Sequence, residues 1–146
     1  TNSAAASITR LLDMGVEDYM IASTVIGVLA QRLVRKLDPD WREAFEAPAQ
    51  LIAEHGLDAF TEQRPIMLYR PRADCPGSGN NGRGAITELL IMNDELRQLL
   101  MRHADASTLE AAARKGGLRT LYEDGLRQAL AGTTSLEEVL RVTRSE

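Results

Sequence analysis

The fold class expected from this sequence is α/β in its first two-thirds and all-α after that, on three observations. Leucine and alanine supply 39 of the 146 residues against six aromatics, a balance that favours helix over a β-rich fold. All five prolines (39, 48, 65, 71 and 76) and a glycine-rich turn fall between Asp38 and Gly84, with a possible strand on either side. Beyond Asp94, three Ser/Thr-x-x-Glu boxes stand ahead of apolar stripes at helical spacing.

Each element has a local reason. Ile8, Leu11 and Leu12 lie at helical spacing; Asn2 or Ser3 is placed to cap the start and Gly15 to end the helix in the left-handed conformation. Met20, Ile21, Thr24, Val25, Val28 and Leu29 then fall on one face of a second helix. Periodicity would carry that helix on through Leu33 to Leu37. Equally, Gln31, Leu33, Arg35 and Leu37 alternate with Arg32, Val34 and Lys36, which allows a strand from Ala30 to Leu37. The pattern leaves both open.

Pro48 to His55 reads as a short helix, proline at its first position and Gly56 at its end. Ile66 to Tyr69 reads as a short strand, and Ala85 to Met92 as a buried one. The last third is expected to hold four helices: one opening at Asp94, then one behind each box, Ser107 with Glu110, Thr120 with Glu123, Ser135 with Glu138. In each box the hydroxyl accepts from a first-turn amide while the carboxylate reaches back to the cap's own amide. Gly116-Gly117 and Gly132 sit where helix C-termini want glycine. The four apolar stripes are expected to share one small core.

Composition removes several functions. A net charge of −4, from 17 basic and 21 acidic residues, with the arginines scattered, does not make a nucleic-acid surface. The longest uncharged run, Tyr19 to Gln31, is 13 residues, short of the roughly 20 that span a bilayer. One cysteine, Cys75, builds no disulfide framework, and no charged-then-apolar leader reads as a signal peptide. The opening at Thr1, already in a structured pattern, reads as that of a piece of something longer.

Few constellations offer chemistry. Gly77 to Gly84 matches G-x-G-x-x-G and nearly mimics a phosphate-binding P-loop, but Arg83 and Gly84 stand where that loop needs Lys and a hydroxyl. Cys75, His55 and His103 lack the paired close spacing of a structural zinc site, and the two histidines read as favourable charges at helix C-termini. Ala30-Gln-Arg-Leu-Val-Arg35 puts one amide and two guanidiniums at the end of an apolar element, as solvent-facing groups or as donors towards a nucleotide or an acidic neighbour.

Two long strings carry a family resemblance. Ile8-Thr-Arg-Leu-Leu-Asp-Met-Gly-Val-Glu17 with Ile21-Ala-Ser-Thr-Val-Ile-Gly-Val-Leu-Ala-Gln-Arg-Leu-Val-Arg35 resembles the ATPases of type II secretion, the general secretion pathway protein E family, siblings of the type IV pilus assembly ATPases. Gly117-Leu-Arg-Thr-Leu-Tyr-Glu-Asp-Gly125 and Ala131-Gly-Thr-Thr-Ser-Leu-Glu-Glu-Val-Leu-Arg-Val-Thr143 agree independently. Thr1-Asn2-Ser3-Ala4 is similar to the residues just after the family's histidine box.

The resemblance implies the C-terminal edge of a RecA-like P-loop ATPase domain, with residues 1–37 in the ATPase core and 84–92 a strand returning to its sheet. Residues 38–83 would be an insert subdomain and 93–146 a C-terminal four-helix subdomain. It makes 30–37 a strand and matches Gly84 to Met92 to the family's G-R-x-G-I-x-E-L. The family's tetracysteine zinc site aligns with Asp38, Trp41, Arg72 and Cys75, so three of four ligands are lost and the insert is expected to fold without zinc, Trp41 packing in the metal's place.

The implied function is the C-terminal part of a cytoplasmic, hexameric ATPase, peripheral to the bacterial inner membrane, that powers pseudopilus assembly. ATP and Mg would be held upstream, no catalytic residue lies here, and inner-membrane platform proteins are the implied partners. Gln31 and Arg32 are the candidates for a nucleotide-proximal or subunit-boundary position. The alternatives are the matching part of a type IV pilus ATPase, or a non-enzymatic helical adaptor using the glycine turn as a contact loop.

Overall fold

A computed structural model describes residues 3–144. It is a mixed α/β structure in which helices dominate and strands are few. The elements in chain order are α1 (Ala4–Asp13), α2 (Asp18–Thr24), β1 (Gly27–Leu37), β2 (Arg42–Glu46), α3 (Ala49–His55), β3 (Met67–Pro71), β4 (Asn80–Ile91), α4 (Asp94–Met101), α5 (Ala106–Lys115), α6 (Leu121–Ala131) and α7 (Leu136–Thr143). β1 pairs with β4 in one two-stranded sheet and β2 with β3 in another. Among the described residues no helix is long and apolar enough to cross a membrane.

The chain divides into two compact units, one of residues 1–31 with 87–121, the other of residues 32–86 with 122–146. The division falls within β1 and within β4. In the first unit, Ile8 of α1, Ile21 of α2, Leu90 of β4, Leu96 and Leu100 of α4 and Leu109 of α5 close one core. The second unit centres on Leu57, Ile66 and Leu68 together with Leu126 and Ala129 of α6 and Leu136 and Val139 of α7. The expectation that the last four helices share a core is therefore corrected: α4 and α5 bury their stripes with α1 and α2, while α6 and α7 bury theirs against the β2–β3 region. Four short amphipathic stripes specify burial, but not which partner supplies it.

Helix ends follow local chemistry closely. Ser3 caps α1, its hydroxyl accepting from the Ala6 amide at 3.0 Å; the other expected cap, Asn2, lies outside the described residues. At the far end Gly15 has φ +96° and donates to the Leu12 carbonyl, while Val16 donates to that of Leu11. These two bonds are the Schellman arrangement, with glycine at the left-handed position. Gly56, Gly117 and Gly132 are left-handed at their expected helix ends, and α4 opens at Asp94, capped by Asn93.

Several expectations need correction. The second helix stops at Thr24, so Val28 and Leu29 belong to β1, and 27–37 is extended throughout. The α/β ambiguity is resolved by hydrogen-bond partners far away in the chain: Met92 donates to the Ile26 carbonyl at 3.0 Å and Asp38 to that of Gly79 at 2.9 Å. β4 begins at Asn80, so only the first part of the glycine-rich stretch is a turn. There Gly79 has φ +77°, and a Cβ on it would lie 2.5 Å from the Cβ of Pro71. β2, unforeseen, supplies β3 with an antiparallel partner in the register Arg42↔Pro71 to Glu46↔Met67.

The Ser135 box has the expected cap. Ser135 accepts from the Glu138 amide at 3.1 Å. The cap of α5 is Asp105, two residues ahead of Ser107, and accepts from the Thr108 amide at 2.9 Å. Hydrogen bonding from the Thr108 side chain, followed by that from its amide, leads the causes holding the Asp105 carboxyl below its ordinary range. Thr120 directly precedes α6.

Candidate functional site

The strand β1 carries both Gln31 and Arg32. Side chains on a strand alternate between faces, so Gln31 lies with Leu29, Leu33 and Arg35, and Arg32 with the fully buried Val34. Gln31 is exposed and Arg32 half-buried. Adjacent in sequence, the two point to opposite sides of the strand.

The positions aligned with the zinc ligands do come together, although 31 residues separate Trp41 from Arg72. A chain of backbone bonds joins all four: Trp41 donates to the Asp38 carbonyl at 3.0 Å, Arg72 to that of Trp41 at 2.7 Å, and Cys75 to that of Arg72 at 3.1 Å. The Arg72 guanidinium stands over the Trp41 ring, 5.2 Å from its centre. It also pairs with Asp74, Nε to Oδ1 at 3.0 Å and Nη2 to Oδ2 at 2.6 Å. The Cys75 thiol faces the Gly77 carbonyl at 3.7 Å.

These side chains do not fit zinc. An indole offers no lone pair to a metal and a guanidinium stays cationic, which leaves one thiol and one carboxylate where a structural site needs four donors. Trp41, expected to pack in the metal's place, is half-buried and is also the platform over which the Arg72 guanidinium stands.

The two histidines are placed by partners rather than by dipoles alone. His55, in the last turn of α3, is buried and its Nδ1 is hydrogen-bonded to the Tyr122 hydroxyl. Burial is the main cause pushing the Tyr122 hydroxyl above its ordinary pKa. His103 lies beyond the end of α4 at φ +57°, not in its last turn, and its Nε2 is 3.0 Å from the Asp18 carboxylate.

Two carboxylates are buried, which the sequence pattern does not show. Glu88 of β4 accepts from the Ala4 amide at 2.8 Å and from the Leu121 amide at 3.0 Å, the first residues of α1 and α6. Those amides are among the orphan donors at a helix start, and a carboxylate there also meets the positive end of the helix dipole. Glu138 of α7 is 5 % exposed and is gripped by two forks. Arg35 reaches it through its amide at 2.8 Å and through Nε and Nη2 at 3.3 and 3.1 Å; Arg141 does so through Nε and Nη2, both at 2.8 Å.

The Arg141 hydrogen bonds lead the causes that hold the Glu138 carboxyl down to about 2, and Arg35 adds to them against the opposing effect of burial. The carboxylate that the capping-box pattern assigned to the Ser135 amide is thus turned to Arg35 and Arg141. The signals in the sequence were the place of Glu138 in the Ser135 box and Arg35, the last residue of the Ala30–Arg35 segment.

Comparison with known proteins agrees with the motifs. The family model described as "Type II/IV secretion system protein" matches residues 1–141. The type II secretion system protein E of Xanthomonas campestris pv. campestris is 54 % identical over 144 residues, which is 98 % of this chain and 25 % of that protein. Its counterpart in Pseudomonas aeruginosa is 41 % identical over 148 residues, covering 100 % of this chain and 29 % of the relative. The type IV pilus assembly ATPase PilB of Thermus thermophilus is 41 % identical over 145 residues, 98 % of this chain and 16 % of that one. The chain thus spans less than a third of the length of each of these relatives, and it belongs to the type II/IV secretion system protein family.

Proposed function

We propose that this chain is the C-terminal portion of a hexameric, cytoplasmic motor ATPase that powers pseudopilus assembly in type II secretion. The observation that carries the reading is near-complete coverage of the chain at 54 % identity by a type II secretion system protein E, a quarter of whose length it matches. The type IV pilus reading rests on lower identity, 41 % to the Thermus protein.

In this reading residues 1–37 and 84–92 form the edge of a RecA-like sheet, 38–83 a zinc-less insert, and 93–146 the C-terminal helices. The surface of the first unit supports it. Ile26, Leu29, Leu89 and Ile91, on or beside β1 and β4, are 83, 59, 51 and 60 % exposed. A two-stranded sheet with so apolar a face is the sort of surface that further polypeptide covers.

ATP and Mg belong to the parent enzyme's upstream part, since Arg83 and Gly84 stand where a P-loop needs its lysine and hydroxyl. Inner-membrane platform proteins are the proposed partners, and the motor sits peripherally on that membrane. Gln31 and Arg32 are proposed to lie near the nucleotide or the subunit boundary.

Two measurements of ATP turnover test this. The 146-residue chain is expected to show none, and a polypeptide extended upstream through a P-loop is expected to be active; turnover by the chain alone overturns the reading. In the active polypeptide Arg32→Ala is expected to lower turnover, and unchanged binding and turnover remove Arg32 from the assignment.

A further inference from the structure

The second unit holds a cavity of about 300 Å³ walled by Leu33, Arg35, Arg83, Glu138 and Arg141. We propose that this cavity is an oxyanion site that takes a phosphate group, with Arg35, Arg83 and Arg141 as its donors. The bonds to Glu138 occupy Nε and Nη2 of both Arg35 and Arg141, which fixes the two planes and leaves Nη1 of each with no hydrogen bond among the described residues. Both side chains stay about half exposed, at 52 and 57 %, so those remaining donors are reachable.

Arg83 is the residue that structure alone does not account for. It is exposed on β4, and its side chain makes no hydrogen bond or ion pair among the described residues. One buried carboxylate already has two guanidiniums; a third beside them adds only like-charge repulsion unless an anion shares it. Three arginines against one glutamate leave the walls with a surplus of two positive charges. A phosphate monoester carries about −1.5 to −2 near neutral pH and presents several oxygens in different directions, matching that surplus and three separate forks. A carboxylate offers one charge and one edge, which a single fork satisfies.

Glu138 does not repel such a ligand as a free carboxylate would, because its charge is spent on the two forks that it orients. The site also lies outside any P-loop, so its test is independent of the motor reading.

Calorimetric titration of the 146-residue chain with inorganic phosphate and with methyl phosphate, at low ionic strength, tests the proposal. Saturable one-to-one binding is expected, with a dissociation constant of about 1 mM or below. Binding of both compounds points to a phosphate carried on a larger molecule; binding of inorganic phosphate alone points to the free ion. Arg83→Ala, which removes no side-chain hydrogen bond or ion pair among the described residues, is expected to weaken binding at least about tenfold with an unchanged circular dichroism spectrum, and Arg83→Lys to restore part of it. No saturable binding, binding indifferent to Arg83→Ala, or equal binding of acetate each overturns the assignment.

Discussion

The amide and the guanidinium of Arg35 both close on the carboxylate of Glu138, which lies 103 residues further along the chain. That contact ties β1 to α7 inside the second unit, and a second tie sits next to it: the Thr134 hydroxyl donates to the Arg35 carbonyl at 2.7 Å. A backbone amide, two guanidiniums and one nearly buried carboxylate make a connected charge network rather than an isolated surface pair, and such networks are where electrostatics contribute measurably.

The network makes stability depend on pH in a defined window. Because the folded-state carboxyl of Glu138 is held at about 2 instead of 4.5, its contribution is complete above pH 4.5 and is lost as pH falls towards 2. The size is on the order of 3 kcal/mol. Urea unfolding followed between pH 7 and pH 2 is expected to show this loss, and Glu138→Gln to flatten the profile over that range while lowering stability at pH 7. A variant with the same acid slope as the parent would remove Glu138 as its source.

Glu88 is expected to matter as much, for a different reason. Its two oxygens each satisfy a helix-opening amide. Glu88→Gln turns one acceptor into a donor facing an N–H, at a cost of about 1–3 kcal/mol. Chemical denaturation measures the loss, and amide exchange at Ala4 and Leu121 is expected to quicken before exchange in the middle of α5. Unchanged exchange at both amides would contradict the role.

Gly125 is expected to resist the substitution that usually strengthens a helix. It lies inside α6, where alanine is ordinarily favoured by about 1 kcal/mol. A Cβ there would fall 2.5 Å from Cγ1 of Val139, a fully buried β-branched side chain with little room to turn. Overpacking of this kind costs about 1–3 kcal/mol, so Gly125→Ala is expected to lower the melting temperature. Adding Val139→Ala to it should cost less than the two single changes summed, which a double-mutant cycle reads directly.

The Arg72–Trp41 stack is expected to do its work without metal. EDTA should leave the melting temperature unchanged, and purified protein should carry no stoichiometric zinc. Trp41→Ala removes the platform for the guanidinium and should cost about 1 kcal/mol, visible as a small shift in a thermal melt. One zinc per chain, or a melt that chelation lowers, would overturn this account of the four aligned positions.

Helix ends were legible in the residues alone. Ser3, Gly15, Gly56 and Ser135 mark real termini because a cap or a left-handed glycine is decided by hydrogen bonds to groups three to five positions away. The family, too, was readable from two strings of side chains. Stretch 27–37 was not settled by its own pattern, since its apolar residues suit a helical and an extended spacing alike and the choice fell to bonds with distant backbone. The division of α4–α5 and α6–α7 between two cores, the meeting of Asp38 and Trp41 with Arg72 and Cys75, and the capture of Glu138 away from its own helix start are of the same kind. Each depends on which groups, far apart along the chain, arrive close enough to desolvate one another, and no local spacing encodes that.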